Sequence, residues 1–215
     1  MTRPEPGLSA TMAEVRALGW QAMACPMLDI TPLAPVAPEN FRAALVTSAN
    51  ALPALRDWPR DRLLVAVGAQ TATRARQAGF SHVEAADGDA RALALFCRTR
   101  GITGAHVLLA SGEGYGLDLA RDLDVQRAEV YSACKRVTLP NEAAAALREQ
   151  RVEAVLLYSG KTAEAFQEAL GAEDVTALSA VRALCLSEAI AARLNPKEWR
   201  AVTWPDPLKQ LGPVI

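Results

Sequence analysis

Short unbroken apolar runs alternate along this chain with stretches whose apolar residues recur every three or four positions. Ala154-Val155-Leu156-Leu157-Tyr158 is one such run. Short and without alternation, it predicts a strand buried on both faces. Ser159-Gly160 ends the run, and Ala163, Phe166 and Leu170 then share one helical face. Ser159 stands where its hydroxyl can accept an N–H that the first helical turn leaves unpaired. The helix N-terminus carries partial positive charge, so the junction is also a ready anion site.

The same order occurs earlier. Ala44-Leu45-Val46-Thr47-Ser48 runs into Ala49-Asn50-Ala51-Leu52, and Leu45 precedes Leu156 by 111 positions (156 − 45). Leu64-Val65-Ala66-Val67-Gly68 then parallels Ala183-Leu184-Cys185-Leu186-Ser187, with Val67 and Leu186 separated by 119 positions (186 − 67). Each copy continues through a helix to a short strand, near His82 and near Arg200. Each then reaches an acidic turn, Asp87-Gly88-Asp89 or Pro205-Asp206-Pro207. Two successive matches in order predict two related α/β domains.

Taken from its start, the chain opens on Thr2-Arg3-Pro4, which reads as the tail of a first strand whose beginning is missing or very short. Leu8, Met12, Val15 and Leu18 form a helical face that Gly19 ends. Ala22 to Cys25 reads as a strand. Residues 26–38 carry four prolines and read as an extended connector, neither helix nor central strand. Steady strand–helix alternation follows from Phe41, with a helix expected from Ala49 to Arg56 and Asp89 capping another. Such alternation predicts a parallel sheet with helices on both faces. Val125 to Val137 breaks the rhythm. It contains no Gly or Pro and suits a long strand crossing between domains. The expected domains are therefore 1–29 with 138–215, and 37–127, with crossings at 30–36 and 128–137 that form a hinge.

Composition narrows the function. Of 215 residues 51% are hydrophobic, enough for buried cores, and the formal net charge of −1 offers no basic face for nucleic acid. No apolar stretch reaches the length of a membrane span and no N-terminal signal is visible, so a soluble, cytoplasmic protein is expected. The four cysteines lie far apart without a CxxC, and there are two histidines, so no zinc site is expected. Gly112-x-Gly114-x-Gly116 lacks the dinucleotide spacing, and no P-loop or nucleophile elbow occurs.

Candidate chemistry lies at the strand ends: Arg3, Ser48 with Asn50, Gly68, Ser111-Gly112, Ser159-Gly160 and Ser187. Singly, each is an ordinary cap or tight turn. As a set they would line one edge of a parallel sheet, where ligands bind. Two such edges across a hinge would grip a ligand with many carboxylates or phosphates. Tyr131, in the crossing strand, reads either as an aromatic filling a corner or as a proton donor, since a phenol is protonated at neutral pH.

These residues together resemble the uroporphyrinogen-III synthase family. The resemblance rests on Thr2-Arg3-Pro4, Pro26-Met27-Leu28-Asp29-Ile30, Val46-Thr47-Ser48-Ala49-Asn50-Ala51 and Ala66-Val67-Gly68 with Thr71-Ala72. It is continued by Asp87-Gly88-Asp89-Ala90, Val130-Tyr131 and Leu156-Leu157-Tyr158-Ser159 with Ala163 and Phe166. It implies α/β architecture: two doubly wound parallel-sheet domains joined by a two-stranded antiparallel β-ladder hinge. It also implies a monomer that needs no cofactor. The substrate would be hydroxymethylbilane, a linear tetrapyrrole polycarboxylate. The enzyme would eliminate its hydroxyl, close the ring and invert ring D to give uroporphyrinogen III. In that reading Tyr131 meets the leaving hydroxyl, while the strand-end residues hold acetate and propionate arms. The competing readings are a non-catalytic hinged binding protein for a small polyanion and a nucleotide-dependent transferase.

Overall fold

Leu45 and Val46 are wholly buried, and Ala43 and Ala44 nearly so. A strand with no exposed face belongs inside a sheet covered on both sides. The computed structural model of the chain, which describes residues 1–86 and 89–214, places it there. The acidic turn expected at Asp87-Gly88 lies outside the described residues. The chain divides into two compact units: Met1–Asp29 with Cys134–Ile215, and Ile30–Ala133.

The first unit opens with α1 (Gly7–Ala17), and β1 (Leu28–Pro32) carries the chain into the second. There follow β2 (Ala43–Val46), a 3-10 helix (Ala49–Leu55), β3 (Leu63–Val67), α2 (Ala69–Gln77), β4 (His82–Ala86), α3 (Ala90–Thr99), β5 (Val107–Gly112) and α4 (Leu117–Leu123). β6 (Gln126–Lys135) carries the chain back. The sheet order is β1-β6-β5-β2-β3-β4. β2 pairs in parallel with both β3 and β5, β3 with β4, and β5 with β6. Leu33 N–H donates to the Val130 carbonyl, and Arg136 N–H to the Met27 carbonyl, so β1 runs against β6. One face of the sheet buries Phe41, Leu55, Trp58 and Leu64; the other buries Leu45, Leu93, Leu109 and Leu123. The helix expected over 49–56 is a 3-10 helix, because Pro53 lacks the N–H that would bond the Ala49 carbonyl.

The rest of the first unit comprises α5 (Asn141–Arg148), β7 (Ala154–Leu157), α6 (Gly160–Glu168), α7 (Ala172–Ala177), β8 (Arg182–Cys185), α8 (Glu188–Ala191), β9 (Ala201–Thr203) and α9 (Pro207–Leu211). Its sheet is β7-β8-β9, all parallel. Leu156 stands beside Leu184, and Leu184 beside Thr203. In the second unit Leu45 stands beside Val65, and Val65 beside Glu84. The spacings of 111 and 119 read from the sequence carry each of these residues onto its counterpart, so the two three-strand cores share one register.

The strands expected at Thr2–Pro4 and Ala22–Cys25 are not regular strands. The two segments nonetheless bond to each other. The Met1 ammonium donates to the Met23 carbonyl at 2.9 Å, and Cys25 N–H donates to the Met1 carbonyl at 2.8 Å. Two such residues make too short a ladder to repeat, and Pro4 and Pro6 have no N–H to extend it. Among the described residues no helix is long and apolar enough to cross a membrane.

Candidate active site

In the second unit the parallel pairing of β3, β2, β5 and β6 brings their C-terminal ends to one sheet edge. Ser48 follows β2 in extended conformation, and its hydroxyl accepts the Asn50 N–H at 3.2 Å, capping the 3-10 helix. The side chain of Ser48 also hydrogen-bonds Tyr131 on β6. The Tyr131 ring is buried and lies against Gly112 at the end of β5, where a Cβ would stand 2.7 Å from the ring. Any larger residue at 112 would push the tyrosine out. The register of β5 and β6 shifts at Ser111/Gly112, which sets Gly112 opposite Tyr131. Burial raises the phenol above its ordinary value of 10, the bonds to Ser48 and the Gly112 backbone oppose the rise, and nearby Tyr115 adds to it. The phenol is therefore neutral at physiological pH and able to donate.

The expected site residues thus converge at Ser48, Gly112 and Tyr131. Ser111 is buried, and its hydroxyl donates to the Tyr115 carbonyl at 3.0 Å, holding the loop between β5 and α4. Gly68 ends β3 at φ 78°, a backbone region that favours glycine, and nothing lies within 4 Å of where its Cβ would be. No side chain caps α2 there.

In the first unit the corresponding edge carries Ser159 and Gly160 after β7 and Ser187 after β8. The Ser159 hydroxyl accepts the Thr162 N–H at 3.2 Å and donates to Thr162 Oγ1 at 2.7 Å. Ser187 stands at the N-terminus of α8 without a side-chain bond to that helix. Arg3 lies over the Tyr158 ring, 4.6 Å from its centroid, and donates to Thr11 Oγ1 at 3.1 Å. It also packs against Gly7, where a side chain would meet the guanidinium.

Two residues at this edge escaped sequence reasoning. Tyr158 buries a hydroxyl that finds no hydrogen-bond partner among the described residues, and burial pushes that phenol up to about 12. Arg193 lies over Gly160, where a Cβ would stand 2.5 Å from its Nε, and it pairs with Glu164. Tyr158 read as the last residue of an apolar run and as part of the family resemblance, without a role of its own. Arg193 had no local signal, because its place depends on how α8 packs beside α6. Among the described residues no group of His, Cys, Asp or Glu is placed to hold a metal ion.

Each unit is a parallel α/β sheet whose strand ends offer hydroxyls, glycine backbone and helix N-termini at one edge. A guanidinium stands at one of these edges and a phenol at the other. This defines an α/β protein with polar strand ends in each unit. The chain matches the model of the uroporphyrinogen-III synthase HemD family over residues 9–208, nearly its whole length, and it belongs to that family.

Solved structures carry the same fold. One is a uroporphyrinogen-III synthetase from Helicobacter pylori, 16% identical, with a TM-score of 0.58 over 86% of this chain and 89% of that one. Another is a mutant uroporphyrinogen III synthase from the extremely thermophilic bacterium Thermus thermophilus, 18% identical, with a TM-score of 0.50 over 94% and 90%. No curated protein sequence matches the chain.

Proposed function

We propose that this chain converts hydroxymethylbilane to uroporphyrinogen III, as a cytoplasmic, cyclising lyase. Membership of the family supports the reaction. The observation that carries the reading to particular residues is the Tyr131 phenol, held neutral by burial between Ser48 and Gly112 at a sheet edge rich in anion-binding backbone.

The chemistry asks little of an acid and much of a clamp. Electron-rich pyrrole expels the hydroxyl readily, and a proton from Tyr131 lets it leave as water. The cation left behind must then be attacked at the substituted position of the terminal ring. Holding the chain bent for that attack is a positioning task. Both strand-end edges serve it, with Arg3 and the backbone around Ser159 and Ser187 taking carboxylate arms, and Gly68 and the start of α2 taking others. Arg3 suits a carboxylate, since a guanidinium presents paired donors in a planar fork. The chain passes between units at residues 29–30 and 133–134.

The test mixes purified protein with freshly made hydroxymethylbilane and resolves the product isomers. Type III product formed in proportion to enzyme is the expected result. Type I product alone, the spontaneous isomer, would overturn the assignment and leave a polyanion-binding protein.

A further inference from the structure

The chain has four tryptophans, and the surroundings of three account for them. Trp58 is buried with its ring centroid 5.5 Å from that of Phe41, and its indole N–H donates to the Pro35 carbonyl at 3.3 Å. Trp199 is buried with its ring 6.0 Å from Phe166. The Trp20 N–H donates to the Gly212 carbonyl at 2.8 Å. Trp204 differs. It is 43% exposed, and among the described residues its indole meets no aromatic ring and its N–H donates to no protein group.

The loop that carries Trp204 is tied down. Three residues, 204–206, join β9 to α9. Trp204 follows Thr203, the last residue of β9, and precedes Pro205, whose ring fixes φ. The Asp206 side chain accepts the Leu208 N–H at 3.2 Å and the Lys209 N–H at 3.4 Å, and the Pro205 carbonyl accepts from Gln210 Nε2 at 3.3 Å. A large flat ring on a short, anchored loop loses little freedom when a partner stacks on it.

The loop also lies at the strand-end edge of the first unit. Thr203 stands beside Leu184 on β8. Two residues past Leu184, the Leu186 N–H donates to the Leu157 carbonyl at 2.9 Å, and the Leu186 side chain is 46% exposed. Adjacent strand ends thus each show an exposed apolar side chain, on the edge that carries Ser159 and Ser187. Polar strand ends answer only half of the proposed substrate. Its arms are carboxylates, but its body is a row of flat, electron-rich pyrrole rings, and such rings gain by leaving water for an apolar face.

We propose that Trp204 is the seat of one pyrrole ring of hydroxymethylbilane. The indole stacks on that ring, and the ring's acetate and propionate arms reach the donors of the same edge. The inference rests on the substrate reading given above and adds to it a residue that sets affinity. The stacked contact is made before and during ring closure alike, so it lowers KM and leaves kcat alone.

The experiment measures type III product at varied hydroxymethylbilane for the parent chain, Trp204→Phe and Trp204→Ala. Trp204→Ala raises KM about tenfold, the upper range for one aromatic pair, and keeps kcat within about twofold. Trp204→Phe, which retains a flat face, raises KM about threefold. Both variants keep the parent's thermal midpoint within about 2 °C, since the residue is at the surface. An unchanged KM in Trp204→Ala, or equal loss in the two variants, overturns the seat while the parent's type III product upholds the reaction. A second measurement titrates tryptophan fluorescence with acrylamide in the first second after mixing with hydroxymethylbilane. The substrate shields one tryptophan in the parent and none in Trp204→Phe. Should the parent give type I product alone, the reaction reading fails and this shielding decides the seat by itself: its presence upholds the seat, and its absence overturns it.

Discussion

Leu45 and Leu156 occupy the same place in the shared register, yet their surroundings differ. Leu45 lies on a strand paired along both edges, between Val65 and Leu109. Leu156 stands beside Leu184 and lines a cavity of about 720 Å³ in the first unit. The chain builds one strand–helix pattern twice, and among the described residues its first strand is paired along both edges in the second unit only. The lesson is that a buried apolar run specifies a strand but not how many neighbours that strand has.

Truncating the two leucines separates these environments most sharply. Leu45→Ala leaves a hole in a closely packed sheet and costs about 3–5 kcal/mol. Leu156→Ala enlarges a space already present, loses fewer contacts and costs about 2–3 kcal/mol. Urea denaturation of the two variants gives the difference, and equal costs would erase the distinction.

Overpacking comes next. A Cβ at Gly112 meets the Tyr131 ring at 2.7 Å, whereas one at Gly68 meets nothing within 4 Å. Gly112→Val therefore costs about 1–3 kcal/mol and displaces the phenol. Gly68→Ala costs about 1 kcal/mol, from its backbone angle of φ 78° alone. The same denaturation series reads both.

Acid distinguishes the units by a further step. In the first unit the Asp174 side chain is 4% exposed. It accepts from Arg148 at 2.7 Å and from the Gly171 N–H at 2.9 Å. These bonds, Arg148 first, hold its pKa below the ordinary 3.8. The folded form thus keeps its charge more readily than the unfolded one. The stabilisation is complete above the unfolded value and fades as pH falls through the folded one. In the second unit the lowered carboxylates, Asp89 and Glu129, lie at the surface. Asp174→Ala costs about 2 kcal/mol at neutral pH, and the variant and parent converge as pH drops well below 3.8. A constant difference at every pH would contradict the assignment.

The smallest effect concerns thiols. Burial pushes Cys97 and Cys185 up to about 11 and raises Cys25, whereas Cys134 is exposed. A thiol reagent labels Cys134 alone in the folded protein, and Cys134→Ser shifts stability by less than about 0.5 kcal/mol.

How legible this was in the sequence depended on the range of the interactions. Apolar runs marked β2, β3, β5, β7 and β8, because strands buried on both faces admit little else. Even the register was latent in the repeated spacing. Ser48, Gly112 and Tyr131 came from strand ends and a long Gly- and Pro-free segment. Other features depended on distant partners. The extended residues 1–3 and 22–27 lack a pattern because their ladder is short. Helices α7 and α9, of six and five residues, are too short to show a period. Arg193 reaches Gly160 through tertiary packing, and the unpaired Tyr158 hydroxyl is visible only once α1 covers it.

The most direct test of the proposed reaction is the rate of type III product from Tyr131→Phe and Arg3→Ala, measured beside the parent chain. Tyr131→Phe slows it about 100-fold, the low end of general-acid effects. Arg3→Ala slows it about 10-fold, as expected for one lost charge-assisted contact, and both variants keep their folded spectra. Full activity in Arg3→Ala would confine the site to the second unit. Full activity in both would show that neither edge performs the reaction.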